Sequence, residues 1–204
     1  MPAVPKHRQP IVNAAVTLFR QQGYAGTGLN DIADVSSAPK GSLYHYFPEG
    51  KVSIAAAAVQ EAGRRVAATV TELASTTHSS AQLLRAHARL LAGWMKKSRF
   101  RDGCPITTVL LALAPHDRSV AEAGRRAYAQ WVSILRRRLV ADGHCDDRAE
   151  RLAILCVATL QGALIQARVA RCRTPIEQAT DELARMLEAE RVGEIQAKAM
   201  ESTQ

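Results

Sequence analysis

The amino-acid sequence predicts an all-α fold, on two observations. Aromatic residues make up only 4 % of the 204 residues, whereas strand-rich folds favour aromatic and β-branched side chains. Apolar residues recur at helical spacing, and glycine and proline stand mostly at the breaks between these runs. The chain is also long enough to bury a sizeable core, as one domain or as two small ones.

Three short helices are predicted near the amino terminus. The first spans about residues 8–22, where apolar residues form one stripe, and Gly23 is expected to end it as a C-cap. Thr27 can cap the second helix, and Pro39 suits the first turn of the third, which carries residues 40–47. Because a tight connection joins the second and third helices, this arrangement describes a helix-turn-helix unit.

Six further helices are predicted in the rest of the chain. Ser79 with Gln82, and Asp147 with Glu150, have capping-box spacing at two of the predicted starts. From Arg191 onward the sequence is polar, and we expect the last helix to fray there. The predicted spans are about 51–74, 80–98, 104–114, 117–142, 147–172 and 175–190.

Charge and composition narrow the class of protein. The net charge of +8 suits an acidic partner, but the basic residues are spread out, and a solvated arginine-rich surface explains them equally well. The four cysteines lack C-x-x-C pairing and the amino terminus lacks a signal peptide's apolar core, which together indicate a cytoplasmic protein. The sequence contains no phosphate loop, paired-histidine metal motif or nucleophile–base set, so we expect neither an enzyme nor a cofactor or metal.

Residues 40–47 carry the strongest functional signal. Gly41 allows the backbone to approach DNA closely, and the Tyr44 hydroxyl is a neutral donor for a phosphate. Ser42 and His45 lie three residues apart on one helix face and suit base edges. A helix that only filled a core would not need this combination of side chains.

Each candidate also has a purely structural interpretation. Thr27 caps its helix whether or not it also reaches a phosphate, and a lysine that suits a phosphate is often only a solvated surface residue. Leu43, Tyr46 and Phe47 are expected to pack toward the core. The candidate DNA-contacting residues are Thr27, Lys40, Gly41, Ser42, Tyr44, His45 and Lys51.

Residues 8–52 resemble the DNA-binding domain of the TetR family of repressors. Gly103-Cys104-Pro105, with the run from Pro39 to Ser42, is also similar to the LmrA/YxaF-like branch. The motifs that carry the family resemblance are Phe19-x-x-x-Gly23-Tyr24, Thr27, Asp31-Ile32-Ala33, Lys40 to Phe47, and Lys51.

The resemblance implies a homodimer of about nine helices per chain. It places a helix-turn-helix DNA-binding domain at residues 1–50 and a helical ligand-binding and dimerisation domain at residues 51–204. The last two helices would form a four-helix bundle with those of the partner chain. A ligand in a cavity among the middle helices would change the spacing of the two DNA heads and release the operator DNA.

Two positions depart from the family pattern. Ser37 stands in the turn where the family often has glycine, so it adopts the turn at some energetic cost or the turn has another shape. Pro39 stands where serine is usual, which removes a hydroxyl that could reach a phosphate. The sequence of the operator therefore does not carry over from the family.

The run of residues 152–165 is apolar on every side, so we expect it to be buried against both its own chain and a second one. It is shorter than the roughly 20 residues that a membrane span needs, and no membrane partner is expected. The alternative is a monomer with one central helix. The candidate dimer residues are Leu155, Ala158, Gly162, Ile165, Ile176, Leu183 and Leu187.

Aromatic and polar side chains on otherwise apolar helix faces are candidates for a ligand cavity. They predict an apolar small molecule with few hydrogen bonds, although each of them also suits an ordinary core. The candidates are Trp94, Thr107, Thr108, Leu111, Tyr128, Trp131, Leu135 and Gln161.

The predicted function is a ligand-responsive repressor that binds a near-palindromic operator as a homodimer and is released by an apolar inducer. Two DNA-binding domains are needed because one makes few DNA contacts. Their spacing should be about one DNA turn, roughly 34 Å, or a multiple of it. One alternative is a redox-sensing regulator, with Cys104 or Cys145 as the sensor and His144 favouring a thiolate. Another is a helical binding module that has lost DNA recognition.

Overall fold

The computed structural model describes residues 6–201, with side chains as far as residue 190. Over these residues it contains nine α-helices and no strand, which confirms the predicted all-α class. The helices are α1 (Arg8–Gln22), α2 (Leu29–Ser36), α3 (Lys40–Tyr46), α4 (Lys51–Thr76), α5 (Ser80–Lys97), α6 (Pro105–Leu113), α7 (Arg118–Ala141), α8 (Asp146–Ala170) and α9 (Thr174–Glu201).

The described residues divide into two compact units. Unit 1 comprises residues up to 65 together with 102–128, and unit 2 comprises residues 66–101 together with those from 129 onward. In unit 1, α1 packs against α2, α3 and α6. In unit 2, α5 packs against α8 and α9, and α8 packs against α9.

The core of unit 1 is built on the apolar stripe of α1. Ile11, Ala15 and Phe19 are completely buried, and they are joined in the core by Ile32 from α2 and Leu43 from α3. Burial of an aliphatic or aromatic side chain of this size stabilises a protein by about 1.5–3 kcal/mol. The stripe predicted from helical spacing is therefore the surface that holds the first three helices together.

Helices α4 and α7 come very close together within unit 1. A Cβ atom placed on Gly63 would lie 2.6 Å from the Cβ of Ala127. Carbon atoms do not approach this closely in proteins, so only glycine fits at position 63 while the two helices keep this spacing.

The helix ends confirm some of the predicted caps. Gly23 follows α1 with a φ of 74°, and its N–H donates to the carbonyl of Phe19. The Ser79 hydroxyl accepts a hydrogen bond from the Gln82 N–H at 3.2 Å, as expected of an N-cap. The Gln82 side chain accepts from the N–H of His78 and not from that of Ser79.

Other predicted caps are wrong. Gly28, and not Thr27, is the N-cap of α2, and its N–H donates to the Asp31 carboxylate at 2.7 Å. Cys145 is the N-cap of α8, so Asp147 lies inside the helix, in its first turn. Two helices also begin or end at other residues than predicted. Pro39 is the N-cap of α3 and not a first-turn residue, and α3 ends at Tyr46. Helix α9 runs to Glu201 and not to about residue 190.

Helix α8 has 25 residues and a mean hydropathy of 1.6 over its most apolar part, so by length and composition it could cross a membrane. This corrects the expectation that the apolar run is too short. Length and composition alone do not separate such a span from a core helix, and one side of α8 packs against α5 and α9.

At the start of α8, the side chains of Asp146 and Glu150 both pair with Arg136.

Ser37 ends α2 in the left-handed conformation, with φ 53° and ψ 26°. The sequence left two possibilities for Ser37, an ordinary turn at an energetic cost or a turn of another shape. The left-handed conformation agrees with the first. We expect Ser37→Gly to raise the free energy of unfolding by about 1 kcal/mol, because glycine has no Cβ to clash in this conformation. Chemical denaturation of the purified variant measures the change.

The matched control is Ser36→Gly at the last residue of α2, where the Ser36 hydroxyl donates to the carbonyl of Ala33 and accepts from the N–H of Ala38. Glycine at this position should lower the free energy of unfolding by about 1 kcal/mol. If both glycines destabilise, the left-handed conformation of Ser37 carries no strain.

Candidate nucleic-acid interface

The turn between α2 and α3 sets the direction of the third helix. The N–H of Ser37 donates to the carbonyl of Asp34 at 3.2 Å, and the N–H of Ala38 donates to the carbonyl of Ala33 at 3.3 Å. Pro39 follows in an extended conformation, and α3 begins at the next residue. Three residues therefore reverse the chain between two short helices, as a helix-turn-helix requires.

The buried and exposed faces of α3 are clearly separated. Leu43 is buried in the core of unit 1, and Phe47, just after the helix, is buried as well. Tyr46 is half-buried, with its ring 4.8 Å from that of His45. Lys40, Gly41, Tyr44 and His45 are exposed, and Ser42 is half-buried.

Gly41 differs from a glycine needed for folding. A Cβ built there would meet no protein atom within 4 Å, and the residue lies inside α3 with a normal helical backbone. The fold of the chain therefore gives no reason for a glycine at this position. Close approach of another molecule to the helix does give a reason.

The candidate Lys51 and a second basic residue, Arg8, each lie over an aromatic ring beside the first three helices. The Lys51 ammonium lies 4.1 Å from the centre of the Tyr24 ring, a cation–π contact. Partial burial lowers the pKa of Lys51, and the nearby Asp31 carboxylate opposes this effect. Arg8 is the first residue of α1, and its guanidinium lies 5.5 Å from the centre of the Phe47 ring.

Thr27 does not fit the expected phosphate contact. Its side chain is 1 % exposed, and its hydroxyl donates to the carbonyl of Gly23 at 2.8 Å. A buried hydroxyl that is already hydrogen-bonded cannot reach a phosphate outside the protein. Thr27 therefore stabilises the connection between α1 and α2, and the candidate DNA-contacting set loses this residue.

The segment from Asp102 to Thr108 holds the end of α1. The N–H of Gly103 donates to the carbonyl of Arg20 at 2.8 Å, and the Thr108 hydroxyl donates to the carbonyl of Phe19 at 3.1 Å. The Arg20 guanidinium also pairs with the Asp102 carboxylate at 3.0 Å. The last carbonyls of a helix have no partner within it, so this segment acts as an additional C-cap for α1.

Comparisons with known proteins agree with this arrangement. A family model for bacterial regulatory proteins of the tetR family matches residues 11–58. A second, for the C-terminal domain of LmrA/YxaF-like transcriptional regulators, matches residues 80–182. The chain belongs to the TetR family of transcriptional regulators. The predicted family and its LmrA/YxaF-like branch are thereby confirmed.

Several relatives match most of this TetR-family chain. An uncharacterized HTH-type transcriptional regulator of Mycobacterium tuberculosis is 35 % identical over 188 residues, which cover 90 % of this chain and 95 % of the relative. LmrA, an HTH-type transcriptional regulator of Bacillus subtilis, is 30 % identical over 83 % of this chain and 90 % of its own length. Both are transcriptional regulators and not enzymes, in agreement with the prediction that the chain has no catalytic activity.

A solved structure shows the same fold. A TetR transcriptional regulator from Legionella pneumophila superposes with a TM-score of 0.77 at 16 % identity. The superposition covers 91 % of this chain and 99 % of the Legionella chain. The TetR fold therefore extends through the nine helices.

The predicted ligand-binding residues are divided between the two units. Thr107, Thr108, Leu111 and Tyr128 belong to unit 1, whereas Trp94, Trp131, Leu135 and Gln161 belong to unit 2.

Within unit 1, three of these residues already have hydrogen-bond partners, Thr108 through the carbonyl of Phe19, and the fourth faces solvent. The Thr107 and Tyr128 side chains are hydrogen-bonded to each other, and burial is the main cause of the raised pKa of Tyr128. Leu111 is 75 % exposed, and in unit 2 Trp94 is also largely exposed. These two exposures contradict the expectation that both side chains line an enclosed apolar cavity.

Helix α8 presents an exposed apolar stripe. Ile165 is 52 % exposed, and Ile154 and Val169 are exposed as well. Among the predicted dimer residues, Leu155, Ala158 and Ile165 are exposed on α8, and Gly162 is half-buried. The exposed stripe runs along residues Ile154, Leu155, Ala158, Ile165 and Val169.

The predicted dimer residues of α9 need correction. Ile176, Leu183 and Leu187 are all buried within their own chain, where α9 packs against α5 and α8. A single apolar stripe on a helix cannot show which partner covers it. Ile176 and Leu187 therefore stabilise unit 2 and are not available to a second chain, whereas Leu183, although buried, also lines a groove between α8 and α9.

The cysteines differ in their access to solvent. Cys145 is exposed and Cys104 is half-buried, each as the N-cap of a helix. Cys156 is buried, and burial raises the pKa of its thiol to about 12, which keeps it protonated and unreactive. Redox sensing through Cys104 or Cys145 remains a prediction.

A charged cluster that sequence reasoning missed joins α4 to α1. The Glu61 side chain is only 10 % exposed and accepts hydrogen bonds from Arg64 at 2.9 Å and Arg65 at 2.7 Å. Arg65 in turn donates to the Asn13 side chain at 2.6 Å. The hydrogen bond from Arg64 is the largest cause that lowers the pKa of Glu61 to about 2, although burial opposes it. The spacing of Glu61 and Arg65 could have indicated the ion pair, but not its link to Asn13.

We expect Glu61→Gln to lower the free energy of unfolding at pH 7 by about 1–2 kcal/mol, after allowing for solvent screening of the arginines. Since the folded-state pKa lies below the unfolded value of 4.5, this contribution is present above pH 4.5 and is lost as the pH falls toward 2. Urea denaturation at several pH values should therefore show the two proteins converging below pH 4.5.

Glu122→Gln is the control, because Glu122 pairs with Arg125 and Arg126 at the same spacing but on an exposed surface. Its effect should be much smaller than that of Glu61→Gln. Equal effects of the two substitutions would contradict a special role for the Glu61 cluster.

Proposed function

We propose that this TetR-family regulator is a cytoplasmic homodimeric repressor, which binds a near-palindromic operator and leaves it when an apolar small molecule binds. The observation that carries the proposal is the division of α3 into two faces. Its core face holds the helix in place, and its free face presents Lys40, Tyr44 and His45 to solvent. As the second helix of a helix-turn-helix, with exposed hydrogen-bond donors, α3 is suited to the major groove.

Each residue of this face has a proposed role. Lys40 and Lys51 supply positive charge to phosphates, and Tyr44 supplies a neutral hydroxyl donor. Ser42 and His45 reach base edges on the same side of the helix. In this scheme, residues 1–50 bind DNA and residues 51–204 bind the ligand and the second chain.

The apolar stripe of α8 supports the dimer. Ile154, Leu155, Ile165 and Val169 expose large apolar side chains along one side of a helix whose other side is buried. A groove beside the stripe, between α8 and α9, is lined by Thr159, Ala179, Leu183, Arg185, Met186 and Ala189 among others. An exposed apolar surface of this kind marks an interaction site, and a second copy of α8 and α9 would cover it.

Gly41 offers the sharpest test of DNA binding. The operator would first be selected by the wild-type protein from random-sequence duplexes. Gly41→Ala should then lower operator affinity at least about tenfold, a loss of about 1.4 kcal/mol, because a methyl group separates the helix from the DNA. The same change should leave the free energy of unfolding equal or higher, since alanine favours helix.

Gly93→Ala is the matched control, because Gly93 is also exposed, helical and free of protein atoms around its Cβ position. It should change stability in the same direction and leave operator affinity unchanged. If Gly41→Ala binds the selected operator as well as the wild type, the proposed approach of α3 to DNA is wrong. Failure to select any operator would contradict the DNA-binding proposal as a whole.

The dimer is tested by Ile165→Glu, which places a charge in the middle of the α8 stripe. We expect the variant to sediment as a folded monomer at concentrations where the wild type is a dimer, because burying an unpaired carboxylate is strongly unfavourable. Val140→Glu, at another exposed apolar position, should remain dimeric. A dimeric Ile165→Glu protein would show that the interface lies elsewhere.

A further inference from the structure

His87 of α5 and Trp131 of α7 form a buried aromatic pair in unit 2. Each side chain is 3 % exposed, and their ring centres lie 5.4 Å apart in an edge-on arrangement. Among the residues that the structure describes, neither Nδ1 of His87 nor Nε1 of Trp131 has a hydrogen-bond partner. Sequence reasoning had selected Trp131 as a ligand candidate but had not selected His87.

Two unpaired nitrogens in one buried contact require a physical explanation. Leaving a buried polar group without a partner costs about 1–3 kcal/mol, and native proteins pair nearly all such groups. Helix α5 also carries an exposed face where a histidine would be hydrated. The placement of these two nitrogens in the interior therefore favours a partner that comes from outside the chain.

The chemistry of the two rings limits what that partner can be. The indole Nε1 is only a donor, so it needs a hydrogen-bond acceptor. Burial lowers the pKa of His87 to about 4, so the imidazole is neutral at pH 7 and provides no positive charge for an anion. The same two helices bury Leu83, Leu84 and Leu135, which suit a mainly apolar ligand.

We propose that His87 and Trp131 form the polar anchor of the inducer site, which takes a neutral, largely apolar molecule carrying a hydrogen-bond acceptor such as a carbonyl oxygen. This inference rests on the ligand response proposed above and specifies its chemistry. The acceptor pairs with the Trp131 N–H, while His87 Nδ1 is available to a second polar group of the ligand. Because both rings are closed over by protein, a ligand that reaches them must displace parts of α5 or α7, which links binding to a change of shape.

The test uses the full-length protein with 15N-labelled tryptophan. The chain has two tryptophans, so two indole N–H signals are expected, and Trp131→Phe identifies the one from Trp131. Three probes of similar shape are added separately: 2-acetylnaphthalene, which carries an acceptor, 2-ethylnaphthalene, which does not, and the anion 2-naphthoate.

We expect 2-acetylnaphthalene to shift the Trp131 signal downfield. It should also bind about five- to tenfold more tightly than 2-ethylnaphthalene, because one additional hydrogen bond gives an affinity difference of this size. The anion should bind most weakly. In Trp131→Phe, the preference for the ketone over the hydrocarbon should be reduced. Leu139→Met, a buried substitution on α7 that keeps both nitrogens, should retain the preference.

Equal affinities for the ketone and the hydrocarbon, or an unchanged Trp131 signal with all three probes, would overturn the inference. The two nitrogens would then be paired by ordered water. Because Trp131→Phe could lower stability, His87→Phe provides a second variant that keeps a ring at the site. Operator release by 2-acetylnaphthalene separates the two proposals: release without a shift of the Trp131 signal contradicts only the anchor, and a shift without release contradicts the ligand response.

Discussion

Burial of the α1 apolar stripe is the interaction on which the rest of unit 1 depends. Helix α1 packs against α2, α3 and α6, so Ile11, Ala15 and Phe19 support all of these contacts. Its final carbonyls are also capped by Gly23, Gly103 and the Thr108 hydroxyl. The orientation of α3 is therefore determined by residues that need not touch DNA. A substitution in this stripe would weaken DNA binding by displacing the helix that carries the donors.

The structure separates the residues that stabilise α3 from those that are available for recognition. Leu43 and Phe47 contribute to the core, whereas Lys40, Gly41 and Tyr44 are exposed and contribute little to it. The exposed set can therefore be changed with little effect on folding. By contrast, the Thr27 hydroxyl belongs to the structural set, because its hydrogen bond lies inside the protein. Exposure distinguishes the two sets more reliably than residue type does.

Sequence reasoning succeeded where local rules dominate and failed where distant contacts decide. The bounds of α1 followed from its periodic stripe and from Gly23, and the family followed from motifs within about fifty residues. Thr27 was misplaced because Gly28 and Asp31 provide a competing cap one position later. The hydroxyl of Thr108 bonds a carbonyl 89 residues earlier, which no local pattern indicates. The stripe of α9 was predicted correctly as apolar, but periodicity could not show that its own chain covers it.

The close contact between Gly63 and Ala127 has a mechanical consequence. With 2.6 Å between a hypothetical side-chain carbon and Ala127, α4 and the first half of α7 leave no room for a side chain at position 63. This contact lies on the helix that begins only four residues after α3. A larger residue at position 63 would act as a permanent wedge, which holds the two helices apart without any ligand. Such a chain would separate the effect of helix displacement on DNA binding from the effect of the ligand that we propose.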